Sequence, residues 1–439
     1  MRIAFLLLRC RLAHRFGSNS AYAACWETLR SSHSYRLDSS SHGDKLIGFR
    51  YLRAALKMIF TNHQKLPNSE NHVGLFRGGR DFESAVQYLT ELKETPPDFF
   101  LCREDFGFGI GIINQLSMLI GLALISPWLI FMTITSSKRG TYAGIITDCV
   151  EIMHLEAGSR KRKIRTMWMF DSYERDSNLM SLALMNNGCK VIRVPSANII
   201  TPFYHHLVST EFIFTAPFQP DEMEDLKSNW FVERTRNLPP FNYPKLLQAS
   251  RKSTPGTSAT LGYISSGVWR RKERGELASG LGEFESEDLL IDTLKTYLKD
   301  HSEKELLIYL HPCEKESNEI FARAHEEYSK HFPEGRFRIV PLDVSSLQVF
   351  SESEVAVSVY SSANIERLFL GLKTLYFPAC FKENIYGNTS LSKVSATTPE
   401  RLIALLDAGF NLDQKAFFDQ FELNAYRGFG LPSHLSFKE

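Results

Sequence analysis

The feature that most constrains this chain is the alternation of short apolar runs with segments of helical periodicity along most of its 439 residues. The apolar run Glu305–Leu310, for example, is followed by the helical pattern Glu314–His331 and then by the apolar run Phe337–Val340. Parallel strands need a crossover helix between them, so this alternation predicts βαβ units and parallel sheets. The other predicted strands are Ile3–Leu8, Met58–Thr61, Asp98–Cys102, Met167–Phe170, Lys190–Val194, Phe212–Thr215, Thr260–Ile264, Val355–Tyr360 and Thr374–Phe377. The other predicted helices are Tyr173–Asn187, Ser286–Lys299, Ser345–Ser351, Asn364–Gly371 and a tail that begins at Pro399.

A proline-rich stretch divides this alternation into two series. Residues 237–258 carry four prolines, a glycine and a polar cluster, which is typical of an interdomain linker. A chain of this length also exceeds the usual size of a single hydrophobic core. We therefore predict two Rossmann-like, doubly wound α/β domains, over residues 1–240 and 259–400, with a linker at 241–258 and a helical tail at 401–439. In such folds ligands bind outside the carboxyl ends of the strands, which predicts a cleft between the two domains.

Composition and charge exclude several classes of function. Lysine plus arginine number 51 against 50 aspartate plus glutamate, so no global basic field favours nucleic acid as a partner. The seven cysteines are scattered without the spacing of a zinc or redox motif, which favours reduced thiols that pack as small apolar groups. Residues Ile3–Leu8 are too few for a secretory signal, and we expect a cytoplasmic protein without a bound metal or cofactor.

A long uncharged stretch lies in the first predicted domain. No charged residue occurs from Phe106 to Ser137, and the densest part, Leu116–Thr135, is long enough to cross a bilayer core as a helix. Three interpretations are open: a re-entrant or interfacial segment, a buried core helix and a transmembrane span. A span would split the first α/β domain. Together with the basic run at residues 160–165, the segment 108–135 indicates peripheral or monotopic association with the inner face of a cell membrane.

The first candidate ligand residue follows a strand of the second domain. His311 and Pro312 come directly after the apolar run Glu305–Leu310, at the carboxyl edge of a parallel sheet. Proline ends strand pairing there, and the imidazole can donate to a phosphate or a base. Proline also commonly ends strands, and histidine is often structural, so a purely structural role is the alternative.

A second candidate lies where a buried strand meets a helix. Ser361 and Ser362 follow the run Val355–Tyr360, and a helix begins at once. Backbone N–H groups at a helix N-terminus and two hydroxyls suit an anion, although Ser362 would also serve as an ordinary helix cap. Glu366 could bind ribose hydroxyls or could be a first-turn acid that the helix dipole stabilises.

A third candidate opens the second domain. The strand Thr260–Ile264 leads into a turn that contains Ser266 and Gly267, with Arg270, Arg271, Lys272 and Arg274 behind it. Small residues let a backbone approach a phosphate, and the cations would suit a diphosphate. The alternative is a surface turn with a basic tail.

These three pieces, in this order, resemble the C-terminal half of GT-B glycosyltransferases, and most of all the bacterial sialyltransferase and polysialyltransferase types. The resemblance covers residues 258–400. It implies a nucleotide-sugar donor, CMP-linked as in those types, with His311 and Pro312 at its phosphate or base and Ser361 and Ser362 at its phosphate. It also implies an acidic motif before a glycine that supplies the base. Glu104 and Asp105 fit that role, although Phe106 separates them from Gly107, and Asp105 is the predicted base.

Other polar groups follow strands of the first domain. Asp171, Glu174, Arg175 and Asn178 could bind an acceptor or could be capping and surface charges. His205 and His206 have a spacing that rarely ligates one metal.

The sequence thus predicts an inverting, metal-independent glycosyltransferase. It would transfer a sugar from a nucleotide donor to a glycan or a lipid-linked acceptor of a bacterial surface polysaccharide, such as lipopolysaccharide or capsule. Two alternatives remain open: a polyol-phosphate transferase or sugar-nucleotide epimerase of similar fold, and a non-catalytic partner in polysaccharide assembly or export.

Overall fold

A computed structural model gives the fold. It describes residues 2–30, 46–60, 73–77, 82–94, 99–102, 111–136, 139–170, 176–195, 206–224, 230–250, 259–275, 282–382, 385–387 and 389–432. The chain divides into two compact units. Unit 1 comprises Met1–Ser196, Thr201–Phe214 and Met223–Arg236, and unit 2 comprises Ala197–Ile200, Thr215–Glu222 and Asn237–Glu439.

Unit 1 is built on a sheet in which the described strands have the order β2-β1-β3-β4-β5-β6. The pairings of β2 with β1, β1 with β3, β3 with β4 and β4 with β5 are parallel. The strands are β1 (Val73–Arg77), β2 (Phe99–Cys102), β3 (Thr166–Met169), β4 (Lys190–Arg193), β5 (Leu207–Phe214) and β6 (Trp230–Asn237).

The helices of the first half include two long ones, α5 and α6, which pack against each other. Helix α5 is apolar over Ile112–Thr135, with a mean hydropathy of 2.0, and by length and composition it could cross a membrane. The helices are α1 (Arg2–Arg15), α2 (Ala21–Arg30), α3 (Ile47–Phe60), α4 (Phe82–Glu91), α5 (Gly111–Thr135), α6 (Arg139–Arg162), α7 (Ser177–Met185) and α8 (Phe218–Glu224).

Unit 2 contains a parallel sheet with the described order β11-β10-β7-β8-β9. Strands β7, β10 and β11 are buried along their whole length, as expected for parallel strands covered on both faces. The strands are β7 (Thr260–Ile264), β8 (Glu305–Tyr309), β9 (Phe337–Ile339), β10 (Val355–Ser358) and β11 (Lys373–Tyr376). The helices are α9 (Tyr243–Ser250), α10 (Val268–Glu273), α11 (Glu283–Asp300), α12 (Asn318–Ser329), α13 (Ser362–Phe369), α14 (Pro399–Asn411) and α15 (Gln414–Gln420).

The predicted α/β class with parallel sheets is confirmed, and two predicted strands are wrong. Residues Ile3–Leu8 lie in α1, where Ile3, Leu6, Leu7 and Cys10 are buried at helical spacing. Residues Met58–Phe60 end α3, and Thr61 lies outside the described residues. In both places the apolar run is one face of a helix.

The predicted linker at 241–258 is also wrong over its first part. Residues Tyr243–Ser250 form α9 in unit 2, where Tyr243 and Leu246 are buried. Proline suits the first turn of a helix, because its missing N–H has no helical acceptor there, and Pro244 takes this position. Residues 251–258 lie outside the described residues.

The described cysteines support their expected role as packing groups. Cys10, Cys25, Cys149, Cys189 and Cys313 are buried, Cys380 is exposed, and none of these six forms a disulfide.

Candidate functional site

The three candidate segments of the second half meet at one edge of the unit 2 sheet. Strands β10, β7 and β8 are neighbours and run parallel, so the residues after them emerge at the same edge. From β7 the chain continues to β8 and β9 on one side and returns to β10 on the other side of β7. This reversal is the topological switch point at which open α/β sheets bind ligands. The sheet therefore places Ser266, His311 and Ser361 where a ligand is expected.

His311 has a defined ring orientation. It is half-buried and caps a short 3-10 turn, Pro312–Glu314, in which its Nδ1 accepts from the Cys313 backbone N–H at 3.3 Å. The Cys313 Sγ atom also lies 3.0 Å from Nδ1. Because Nδ1 accepts, the neutral ring carries its proton on Nε2, which makes that atom a donor suited to a phosphate or a base carbonyl.

Gly267 brings the first turn close to this histidine. Its backbone has φ +71°, and a Cβ there would lie 2.6 Å from Cys313 Sγ and 3.0 Å from His311 Cβ. Only glycine takes this conformation without strain, and any side chain would also press on the histidine turn. The small-residue turn thus packs its backbone directly against the His311 segment.

Two buried carboxyl groups hold these turns together. Glu287 of α11 accepts from the Ser266 backbone N–H at 3.0 Å and from the Tyr263 hydroxyl at 2.6 Å. Burial raises the pKa of Glu287, despite these donors. The Glu287 side chain thereby fixes the turn that follows β7.

Glu314 likewise fixes the short turn His311–Glu314, which we call the histidine turn. It accepts from the His311 backbone N–H at 2.8 Å, from the Tyr328 hydroxyl at 2.9 Å and from the Trp269 indole N–H. Burial raises the pKa of Glu314 to about 7. The Tyr328 hydroxyl also lies 2.8 Å from Ser265 Oγ, so the two carboxyl groups belong to one network.

Neither Glu287 nor Glu314 was predicted from the sequence. Glu314 carries a visible signal, because it stands three residues after His311 in the capping-box position behind a proline. Glu287 carries none, since an acid inside a helical pattern normally indicates a solvated face.

The junction of β10 and α13 is capped as expected, but by Ser361 rather than by Ser362. Ser361 Oγ accepts from the Ala363 backbone N–H at 3.2 Å, and Ser362 is the first helical residue. Asn364 fixes the helix to the sheet: its Oδ1 accepts from Ser358 Oγ at 3.0 Å and its Nδ2 donates to the Leu375 carbonyl. The first turn of α13 is therefore anchored at the sheet edge.

Glu366 is buried, and its Oε1 accepts from Asn242 Nδ2 at 2.5 Å. This contact supports a structural role for one carboxylate oxygen, and a ribose contact stays a prediction.

Each cation of the basic run behind Gly267 has an acidic partner. Arg270 pairs with Glu273, and its Nη2 lies 3.8 Å from Glu316. The other three cations have partners as well: Arg271 with Glu283, Lys272 with Asp288 and Arg274 with Glu316. These pairs weaken the positive field that a diphosphate would meet, and the expected cationic backing stays a prediction.

A groove of about 690 Å³ lies on the outer surface of α10, α11 and α12. Its charged lining is internally paired, for example Lys272 with Asp288, Arg323 with Glu273 and Lys330 with Glu327. The lining contains six carboxyl groups against three lysine and arginine side chains, so the groove offers no excess positive charge to the phosphates of a nucleotide.

In unit 1, Asn178 is a structural side chain. It is buried, its Oδ1 accepts from the Val208 N–H at 3.0 Å and from Arg193, and its Nδ2 donates to Thr28 and to the His206 carbonyl. Four contacts of this kind leave it no capacity for an acceptor sugar. Glu104, Asp105, Asp171, Glu174, Arg175 and His205 lie outside the described residues.

Three carboxyl groups of unit 1 are close together. Oxygens of Asp148, Glu151 and Asp176 lie within 4.8 Å of one another, a geometry that would admit a cation with oxygen ligands. Each of these residues also has other interactions in the structure. The expectation of a metal-independent protein stays a prediction.

A scan against models of known protein families finds no match, and neither does a search of curated proteins. Among solved structures the chain is similar to UDP-GlcNAc 2-epimerase from Methanocaldococcus jannaschii, with 10% identity, 79% of this chain and 95% of that chain covered and a TM-score of 0.44. It is also similar to Acinetobacter baumannii MurG (11% identity, 80% and 94% covered, TM-score 0.41) and to Thermobaculum terrenum O-GlcNAc transferase (12% identity, 92% and 72% covered, TM-score 0.41). All three TM-scores are below 0.5. The fold is therefore assigned from the strand order, and the function is argued from the residues of the site.

Proposed function

We propose that the chain is a glycosyltransferase that uses a nucleotide-sugar donor, and that the donor binds at the carboxyl ends of β7, β8 and β10. One observation carries this proposal: three segments with donor groups for an anion converge at the switch point of a parallel sheet. These segments are Ser266–Gly267, His311–Pro312 and Ser361–Ser362. Each of the two α/β units would correspond to one domain of a GT-B enzyme.

Binding of the donor phosphate would use the helix dipole and neutral hydroxyl groups more than side-chain charge. The first turn of α13 presents the positive end of its dipole and the Ser362 hydroxyl, while its Ala363 N–H already donates to Ser361 Oγ. Gly267 lets the opposite turn approach closely, because it has no side chain. Since the basic run is already paired, these neutral donors are the principal anion contacts of the proposed site.

His311 would act on the leaving group. In the complex, its Nε2–H would donate to a phosphate oxygen of the nucleotide, where charge develops as the glycosidic bond to the nucleotide breaks. Glu314 positions this ring through the His311 backbone N–H. The sequence resemblance favours CMP as the nucleotide, with no resident cofactor or metal.

An inverting transfer needs a base for the acceptor hydroxyl, and we assign this role to Asp105, with Glu104 beside it. The acceptor we propose is a glycan or a lipid-linked precursor of a bacterial surface polysaccharide, such as lipopolysaccharide or capsule. The apolar helix α5 supports a lipid-linked acceptor reached from the cytoplasmic side of the membrane.

Nucleotide binding tests the proposal. The melting temperature of the full chain would be compared with and without CMP, CDP, UDP and GDP, for wild type, His311→Ala and the control His325→Ala, whose side chain is exposed on α12. A ligand at 100 times its Kd stabilises the folded state by about 2.7 kcal/mol. We expect one nucleotide to stabilise wild type and His325→Ala but not His311→Ala. Stabilisation by none of them, or equal stabilisation of all three proteins, would overturn the proposed site.

A further inference from the structure

The exposed apolar side chains of this chain are concentrated on three helices. Among the described residues, every exposed large apolar side chain belongs to α1, α3 or α5 or directly adjoins one of them. Some are almost fully accessible: Ile113 is 84% exposed and Phe16 is 79% exposed. The set is Phe5, Leu8, Leu12, Phe16, Leu46, Phe49, Leu56, Phe60, Ile112, Ile113, Leu116, Ile120, Leu124, Phe131 and Ile134.

These helices are neighbours, so the side chains form one surface, which we call the apolar face. Helix α3 packs against α5 where Gly48 meets Thr133, and Gln115 of α5 donates to the Ile59 carbonyl of α3 at 3.3 Å. Helix α1 reaches α5 where the Arg11 guanidinium lies 4.2 Å from the centre of the Trp128 ring. Soluble monomers rarely expose an apolar surface of this extent without a binding function.

The charged side chains on the three helices that carry the apolar face have a single sign, and Glu27 of the neighbouring α2 pairs with His14 of α1. Helices α1, α3 and α5 contain no aspartate or glutamate. Their exposed cations are Arg2, Arg9, Arg15, Arg50, Arg53 and Lys57. Apolar side chains bordered by arginine and lysine complement a surface of acyl chains and anionic headgroups, and this charge complementarity favours lipid over an apolar protein partner.

Helix α5 is apolar all round but is buried on one side only. Met118, Leu122, Ile125 and Leu129 face the core of unit 1, whereas the opposite side, including Leu124, is exposed. Its packing partner α6 carries Asp148, Glu151 and Glu156. If α5 crossed a bilayer, α6 would be drawn in with it, and each acid at the bilayer centre costs about 2.5–3.5 kcal/mol on insertion scales. The packing therefore favours a helix that lies in the interface.

We propose that α1, α3 and α5 together form a monotopic docking face that inserts into one leaflet of an anionic membrane without crossing it. The apolar side chains enter the headgroup and acyl boundary, and the arginines and lysine contact the headgroups. This surface is distinct from the proposed nucleotide site and does not depend on it.

Vesicle co-sedimentation of the full chain tests the docking face, with neutral phosphatidylcholine vesicles and with vesicles containing 30% phosphatidylglycerol. The charge variant is Arg9→Gln, Arg15→Gln and Arg53→Gln combined. Its matched control, with the same loss of charge in unit 2, is Lys295→Gln, Lys299→Gln and Lys415→Gln combined. Each cation near an anionic surface contributes about fivefold in partitioning, so the charge variant should bind anionic vesicles about one hundredfold more weakly and the control should bind like wild type.

An apolar variant separates insertion from electrostatic adsorption. Phe16→Ser, Phe49→Ser and Leu124→Ser change one exposed side chain on α3, one on α5 and one directly after α1. Together they should reduce binding about one thousandfold at any salt concentration, since each buried apolar side chain contributes about tenfold. All these positions are exposed, so circular dichroism should show unchanged folding.

Three results would overturn the proposal. The first is equal binding of the charge variant and its control. The second is a stable dimer that binds no vesicles, which would mean that a second copy covers the face. The third is labelling of one end of α5 by a membrane-impermeant reagent enclosed inside the vesicles, which would indicate a transmembrane helix. None of these readouts involves a nucleotide, so failure here and failure of the proposed function are separable.

Discussion

Replacement of Gly267 by alanine tests whether the turn after β7 and the histidine turn form one rigid unit. The matched control is Gly275→Ala. Both glycines have positive φ, +71° and +68°, but a Cβ at Gly275 would meet no atom within 4 Å, whereas one at Gly267 would meet Cys313 Sγ at 2.6 Å and His311 Cβ at 3.0 Å. The two variants therefore share the backbone strain and differ in the collision.

The magnitudes follow from these two contributions. A left-handed backbone costs a non-glycine residue about 1–2 kcal/mol, and this loss of folding free energy is expected in both variants. Overpacking in a closed site adds about 1–3 kcal/mol, and this second loss is expected for Gly267→Ala alone. Because the nearest atom is Cys313 Sγ, Gly267→Ala combined with Cys313→Ala should recover part of that second loss.

Urea denaturation of the full chain, followed by circular dichroism, would measure the stabilities, and titration with the stabilising nucleotide would measure affinity. We expect Gly267→Ala to lose affinity because the collision moves His311, and Gly275→Ala to retain it. Equal stability and equal affinity of the two variants would refute the tight contact between the turns.

Three further predictions follow from the same unit. Burial raises the pKa of Glu314 from 4.5 to about 7, so the folded chain binds more protons than the unfolded chain between these pH values. The titration of Glu314 should thus lower the free energy of unfolding by about 3 kcal/mol as pH rises from 4.5 to 7. In urea denaturation, Glu314→Gln should remove that part of the pH dependence, and a variant with the same pH dependence as wild type would contradict this prediction. Ser361 and Thr398 each cap a helix through a hydroxyl, so Ser361→Ala and Thr398→Ala should each lower the free energy of unfolding by about 1 kcal/mol. In nucleotide titrations, only Ser361→Ala should weaken binding. Arg367 is fully buried and donates to three backbone carbonyl groups. In urea denaturation, Arg367→Leu should therefore lower the free energy of unfolding by about 3–5 kcal/mol, whereas the surface substitution Arg323→Leu should change it little.

The strands of unit 2 were predictable because burial on both faces leaves a continuous apolar run, as in β7 and β10. The same signal misled at Ile3–Leu8, since a short apolar run does not distinguish a strand from one side of a helix. Strand β6 was missed for the opposite reason. Its sequence is charged, and its residues Arg234 and Arg236 are held by Glu211 of β5, a pairing that only the tertiary structure reveals.

The candidate site was predictable in position and less so in chemistry. His311 and Ser361 could be placed because each stands directly after an apolar strand, where topology brings side chains together. The acids that fix the turns, Glu287 and Glu314, could not be separated from surface charges by sequence. The basic run behind Gly267 looked like an anion site because the partners of its cations, such as Glu283 and Glu316, lie elsewhere in the sequence.

Hydrogen exchange tests the central claim most directly, because a bound phosphate would hold closed the hydrogen-bonded turns that form the proposed site. Exchange of the full chain would be followed by mass spectrometry with and without the nucleotide that stabilises it most. We predict slower exchange in all three segments at the sheet edge: the turn at Ser266–Val268, the turn at Cys313 and the first turn of α13 at Ala363–Asn364. If the nucleotide slows exchange elsewhere but leaves the exchange rates of these three segments unchanged, a donor site at the carboxyl ends of β7, β8 and β10 would be contradicted.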